Sequence, residues 1–154
     1  DARTIEPSRD YIIPLGKART VLAASPAELQ QGNSCCVITY GMGVYWALSA
    51  AKKLEGQVEI VDLRTLFPLD ETYIFDTVRK HGRCLVLTEE AQNNSFAEAL
   101  AARISLACFQ SLDCAVEVLG ALNVPAIPMN VQLEKEVLPG AERTEAKLKA
   151  LLEN

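Results

Sequence analysis

Histidine is almost missing from this sequence. His81 stands alone among 154 residues, so a zinc site of the usual Cys/His kind has too few ligands. The five cysteines, Cys35, Cys36, Cys84, Cys108 and Cys114, include no C-x-x-C pair and all lie in apolar surroundings. An odd set of scattered thiols argues against a disulfide framework and for buried thiols in a reducing cytoplasm. Lys and Arg never gather into a block, and the net charge is −5. That leaves no electrostatic footprint for nucleic acid or an anionic membrane surface. No apolar run reaches the roughly 20 residues that span a bilayer. The opening Asp1-Ala2-Arg3-Thr4-Ile5-Glu6 has no basic segment followed by an apolar one. A cytoplasmic chain is expected, with neither membrane nor nucleic acid as a partner.

What is present is the composition of a folded domain, 49% hydrophobic and 23% charged. The run Cys35 to Thr39 reads as a strand. It meets a glycine turn at Gly41-Met42-Gly43, after which Val44, Ala47, Leu48 and Ala51 recur at helical spacing. Val58 to Leu63 reads as a second strand. Beyond Pro68, Asp70 is placed to cap a helix with Ile74, Phe75 and Val78 inward and Gly82 at its end. Cys84 to Thr88 is a third strand, and Ser95 opens a helix with the stripe Ala97, Leu100, Ala101, Ile104 and Cys108. Cys114 to Leu119 reads as a fourth strand, and a final helix spans about Ala141 to Leu152. Arg19 to Ala23 could add an edge strand. Residues 1 to 16 read as extended, Ser25 to Asn33 as a surface insertion, and Asn123 to Pro128 as irregular because of the prolines. Strands alternating with helices predict an α/β fold, a largely parallel sheet covered on both faces.

Several constellations could carry chemistry. Gly41-x-Gly43 between strand and helix, with Asp62 some 20 residues on, imitates a dinucleotide-binding turn. Trp46 occupies the third glycine position, and the simpler reading is a tight turn out of the strand; a small NAD-binding module stays open as an alternative. Glu89-Glu90 sits at the end of the third strand, either as an acid/base pair or as solvated or interface carboxylates. His81, beside Gly82, suits a helix C-terminus, where a partly positive imidazole complements the dipole. Arg64 reads equally as an ion-pair partner for nearby acids and as a bidentate anchor for a partner domain or anionic ligand. Tyr45, Trp46 and Phe67 read as packing aromatics.

Set in order, three segments resemble a known family. They are Tyr11-Ile12-Ile13-Pro14-Leu15-Gly16-Lys17-Ala18, Thr39-Tyr40-Gly41-Met42-Gly43-Val44 and Asp62-Leu63-Arg64-Thr65-Leu66-Phe67-Pro68-Leu69-Asp70. They are similar to the β chain of thiamine-diphosphate-dependent 2-oxo acid dehydrogenases, in its C-terminal, transketolase-C-like domain. Lys80-His81-Gly82-Arg83, Glu89, Ala97-Glu98 and Val124-Pro125-Ala126-Ile127-Pro128 continue the likeness.

The resemblance implies a three-layer α/β/α sandwich over residues 19–154, with a mostly parallel five-stranded sheet and one antiparallel edge strand. Residues 1–18 would be an extended linker from an N-terminal domain. It also implies that thiamine diphosphate and magnesium are held by that domain and an α chain or region, none by this one, which would carry no catalytic residue and be inactive alone. Expected partners are that domain, the α region, the dihydrolipoyl acyltransferase core and a second copy. Candidate interface residues are Arg64, Glu89, Glu90, Asn123 and Pro125, chosen because they fall on loops at one end of the sheet. The substrate favoured is a branched-chain 2-oxo acid, with pyruvate dehydrogenase or a transketolase-type domain as alternatives. Gly41 to Trp46 and Pro125 to Asn130 resemble forms with α and β regions fused. Three departures stand out: Gln92-Asn93-Asn94-Ser95 replaces a glycine-rich turn, Asn123 replaces an Asp, and the Ser25 to Asn33 insertion lengthens a connection that is often short.

Overall fold

Five strands in the order β1-β3-β2-β4-β5 form the sheet of the computed structural model, which describes residues 8–154. The strands are β1 (Arg19–Leu22), β2 (Cys35–Thr39), β3 (Val58–Asp62), β4 (Cys84–Ala91) and β5 (Glu117–Ala121). The pairs β3/β2, β2/β4 and β4/β5 are parallel, and β1 lies antiparallel on the outer edge of β3. This is the expected α/β sheet with its antiparallel edge.

The apolar strands are buried on both faces, and their alternation divides the core in two. Cys35, Val37, Val58, Ile60, Leu85 and Leu87 point to one side, beneath α2 (Met42–Ala51) and α6 (Gly140–Leu152). Cys36, Ile38, Val61, Cys84 and Val86 point to the other, beneath α3 (Glu71–His81) and α4 (Phe96–Cys108). The α4 stripe is buried as its spacing predicts, and Ser95 caps the helix by accepting from the Glu98 N–H at 3.1 Å.

Other expectations change. β4 runs to Ala91, so Glu89 and Glu90 belong to the strand rather than to a loop after it. β5 starts at Glu117, three residues beyond Cys114, because Glu117 is where pairing with Leu85 begins. Pro26–Gln30 forms a short helix, α1, inside the supposed insertion, capped by Ser25 Oγ accepting from the Glu28 N–H at 3.2 Å. The proline-rich stretch gives way to α5 (Val131–Val137), capped by Asn130 Oδ1. Asp70 sits at the N-cap position of α3 but makes no cap bond, and its Oδ2 accepts from the Ala18 N–H at 3.2 Å instead.

Two aromatics expected to pack inside are exposed: Phe67 at 96% and Tyr45 at 54%, while Trp46 is half-buried against the α2/α6 core. Cys114 is only half-buried, unlike the other four cysteines, and all five are free thiols. Of the expected linker, residues 1–7 lie outside the described residues. Residues 8–18 form no regular element but are tied down, for Gly16 N–H donates to Thr65 Oγ1 at 2.9 Å. Among the described residues, no helix is long and apolar enough to cross a membrane.

Candidate functional site

In a parallel sheet the ligand-facing edge is the one at which the strands end. Thr39, Asp62 and Glu89 come together at that edge. A cleft of about 460 Å³ is lined by Tyr11, Ile13, Arg19, Tyr40, Gly41, Asp62, Arg64 and Leu66. A second, about 760 Å³, shares Arg19, Gly41 and Asp62 and continues along α2 past Met42, Tyr45 and Leu48 to Glu89.

The glycine turn is a packing device. A Cβ on Gly43 would overlap Thr39 Oγ1 and come within 3.4 Å of the Leu87 carbonyl, so only glycine lets α2 start this close to β2 and β4. The turn also uses its own donors, with Gly43 N–H bonded to the Tyr40 carbonyl at 3.2 Å and Val44 N–H to that of Gly41 at 3.3 Å. Fewer amides remain to cradle a phosphate, and Trp46 packs into the core where a dinucleotide fold needs glycine. Asp62, the would-be ribose acid, accepts from the Arg64 N–H at 3.0 Å. The residues do not assemble an NAD site.

Glu89 and Glu90 cannot act as a dyad, because successive strand residues face opposite sides of the sheet. Glu89 lines the α2-side cleft. Glu90 turns to the α4 side, where its Oε1 accepts from Tyr40 O–H at 2.7 Å and from Phe96 N–H at 3.1 Å. Thr88 Oγ1 lies 2.8 Å from the Tyr40 oxygen, and the Tyr40 and Phe96 rings meet edge to face at 6.0 Å. Burial first, and the Glu90 carboxylate as well, push the Tyr40 phenol up to about 12. Glu90 thus holds the N-terminus of α4, favourably for the helix dipole.

His81 is not a cap. Its ring is buried, with Nε2 3.0 Å from Glu59 Oε2 and Nδ1 2.8 Å from Ser34 Oγ. Lys80 Nζ reaches the same Glu59 oxygen at 2.6 Å, and Thr20 O–H donates to Oε1 at 3.1 Å. The His81 hydrogen bond, ahead of Lys80, holds the Glu59 carboxyl down at about 2. Ser34, His81 and Glu59 have the connectivity of a nucleophile, base and orienting acid, which sequence reading missed because 47 residues separate Ser34 from His81. Ser34 is 1% exposed and lines neither cleft. With no access for substrate, the three form a structural network joining β3, α3 and the start of β2.

Arg64 is not an ion-pair partner: among the described residues neither it nor Arg19 meets a carboxylate within 4.0 Å. Its guanidinium donates to the Tyr11 hydroxyl at 3.3 Å. Asn123 Oδ1 accepts from Asn93 N–H at 3.0 Å, so two of the departures from the resembled family touch each other. Pro125 is exposed beside Val124, Ile127 and Met129. The described residues hold no group of three His, Cys, Asp or Glu suited to a metal ion.

Comparison with known proteins fits this geometry into a family. The chain is 35% identical over 150 residues to the 2-oxoisovalerate dehydrogenase subunit beta of Bacillus subtilis, covering 96% of this chain and 43% of that protein. It is 31% identical to the pyruvate dehydrogenase E1 component subunit beta of Rhizobium meliloti, over 92% of this chain and 30% of that one. It is 33% identical to the acetoin:2,6-dichlorophenolindophenol oxidoreductase subunit beta of Cupriavidus necator, over 91% and 40%. The chain therefore spans less than half the length of these relatives. A solved split-gene transketolase, an inactive beta4 tetramer, superposes with a TM-score of 0.72 at 18% identity, over 95% of this chain and 45% of that one. The family described as "Transketolase, C-terminal domain" matches residues 26–144, most of the sheet and its covering helices, and the chain belongs to that family.

Proposed function

We propose that this chain is the C-terminal domain of the β subunit of a 2-oxo acid dehydrogenase's decarboxylating component, of the branched-chain type. Its work is assembly and docking. The observation that carries this reading is likeness along 96% of the chain to a protein named 2-oxoisovalerate dehydrogenase subunit beta. The buried Ser34, His81 and Glu59 network lies away from both strand-end clefts, which is consistent with a structural rather than a chemical role for it. In such an enzyme thiamine diphosphate supplies the carbanion chemistry. By the family resemblance that group belongs to the preceding domain and the α partner; the described residues offer no group of three His, Cys, Asp or Glu for its magnesium.

The docking surface is the strand-end edge and the neighbouring loop: Arg64, Glu89, Asn123 and Pro125, with Glu90 supporting from behind. Val124, Ile127 and Met129 add exposed apolar area beside Asn123 and Pro125. Residues 1–18 would connect to the preceding domain. The test is binding of the assembled component to the acyltransferase core by surface plasmon resonance. Arg64→Glu and Glu89→Lys should each weaken binding about tenfold, the loss of one charge-assisted contact. Unchanged affinity in both, and in Asn123→Ala and Pro125→Ala, would remove the docking role. Stoichiometric binding of thiamine diphosphate and magnesium to the chain alone, by calorimetry, would overturn the placement of the cofactor elsewhere.

A further inference from the structure

We propose that the cleft between β1, β3 and the segment 8–18 binds a small organic oxyanion, a carboxylate or phosphate gripped by Arg19 and Arg64. Arg19 lies opposite Asp62 in the antiparallel β1/β3 pair, a position where opposite charges normally meet. They form no ion pair, because Asp62 Oδ1 is turned to the Arg64 main-chain N–H. That bond holds Arg64 in the left-handed region, φ 59°, a conformation unfavourable for a non-glycine residue. The result is two guanidinium groups lining one cleft, neither within 4.0 Å of a carboxylate among the described residues, in a chain of net charge −5.

Of the rest of the lining, the Asp62 carboxylate has one oxygen occupied by the Arg64 N–H, and Tyr11, Ile13 and Leu66 fit the same ligand class. Tyr11 accepts from Arg64 through its oxygen, leaving its own proton to donate. Ile13 and Leu66 offer apolar contact to a carbon body, and about 460 Å³ suits a compact metabolite. Planar forks such as these match carboxylate and phosphate oxygens two at a time. This inference goes beyond the docking role, with which it shares Arg64, and its test reads protection by a small anion rather than binding of the acyltransferase core.

The test is phenylglyoxal modification of the intact subunit, assembled with its partner chains and free of thiamine diphosphate, read arginine by arginine by peptide mass spectrometry. Inorganic phosphate and succinate are the two probes, each titrated to about 10 mM, ten times a Kd of about 1 mM. One of them should slow modification of Arg19 and Arg64 together, about tenfold at saturation. Arg79 and Arg103, paired with Asp76 and Glu71 elsewhere, should be unaffected. Which probe protects identifies the oxyanion as phosphate or carboxylate. In Arg19→Gln, the concentration that half-protects Arg64 should rise about tenfold. Absence of protection by either probe overturns the proposal. So does finding both arginines unreactive in the assembly without any anion, since a protein surface then covers them.

Discussion

Replacing Glu59 by Gln removes a buried charge while keeping the shape, and the structure fixes what should follow. Glu59 is 5% exposed and its two oxygens serve Thr20, Lys80 and His81. Its carboxyl is held from the ordinary 4.5 to about 2, first by the His81 hydrogen bond and then by Lys80. Each pH unit of such a shift is worth about 1.4 kcal/mol. Lys80 is 43% exposed and can turn to water when its partner goes, so a discounted figure of about 2 kcal/mol at neutral pH is appropriate. The sign follows from linkage. A carboxyl with a depressed native pKa contributes fully above the unfolded value near 4.5, and the contribution fades as pH falls toward 2. Urea denaturation at pH 7, 5, 4 and 3 measures this directly. Wild type should be about 2 kcal/mol more stable than Glu59→Gln at pH 7 and 5, with the gap narrowing steadily at pH 4 and 3. A difference below about 0.5 kcal/mol at pH 7, or a gap that does not shrink with acid, would refute the reasoning.

Other substitutions probe the strand-end edge. Gly43→Ala should cost about 2 kcal/mol in chemical denaturation, and adding Thr39→Ala, which removes the overlapping hydroxyl, should recover part of it, a coupling visible in a double-mutant cycle. Tyr40→Phe should cost about 1 kcal/mol and abolish one late phase near pH 12 in a spectrophotometric tyrosine titration. At Arg64 the left-handed backbone predicts that Gly is more stable than Ala by about 1 kcal/mol, read as a shift in the urea midpoint. Burial pushes the thiols of Cys35, Cys108 and Cys114 up, and the hydrogen bond with Cys84, followed by burial, does the same to Cys36. Only Cys114 is accessible enough to label in the native chain with a thiol reagent at pH 8, and Cys114→Ser should leave native labelling near zero until denaturant is added.

The sequence by itself determined the elements whose signals are local. Cys35 to Thr39 and the mostly apolar Val58 to Leu63 are runs too short for helices, and the α4 stripe at i, i+3, i+4 has one stable partner, an apolar sheet face. Ser25, Ser95 and Asn130 announce helix starts through side chains that bond two or three residues ahead, although two of those helices were hidden by the prolines around them. The antiparallel direction of the edge strand was legible through the resemblance rather than through periodicity, and the strand order only in the folded sheet. Tertiary structure alone decided the rest, because each remaining feature joins residues far apart in the chain. His81 finds Glu59 and Ser34 only once α3 lies on the sheet. Glu89 and Glu90 are adjacent in sequence but turn to opposite sides of β4, within the stretch where its pairing with β5 is irregular. Asp62 meets the Arg64 amide rather than Arg19, and that choice leaves two arginines lining one cleft. No local pattern encodes it, for it depends on which hydrogen bond the folded backbone brings within reach first.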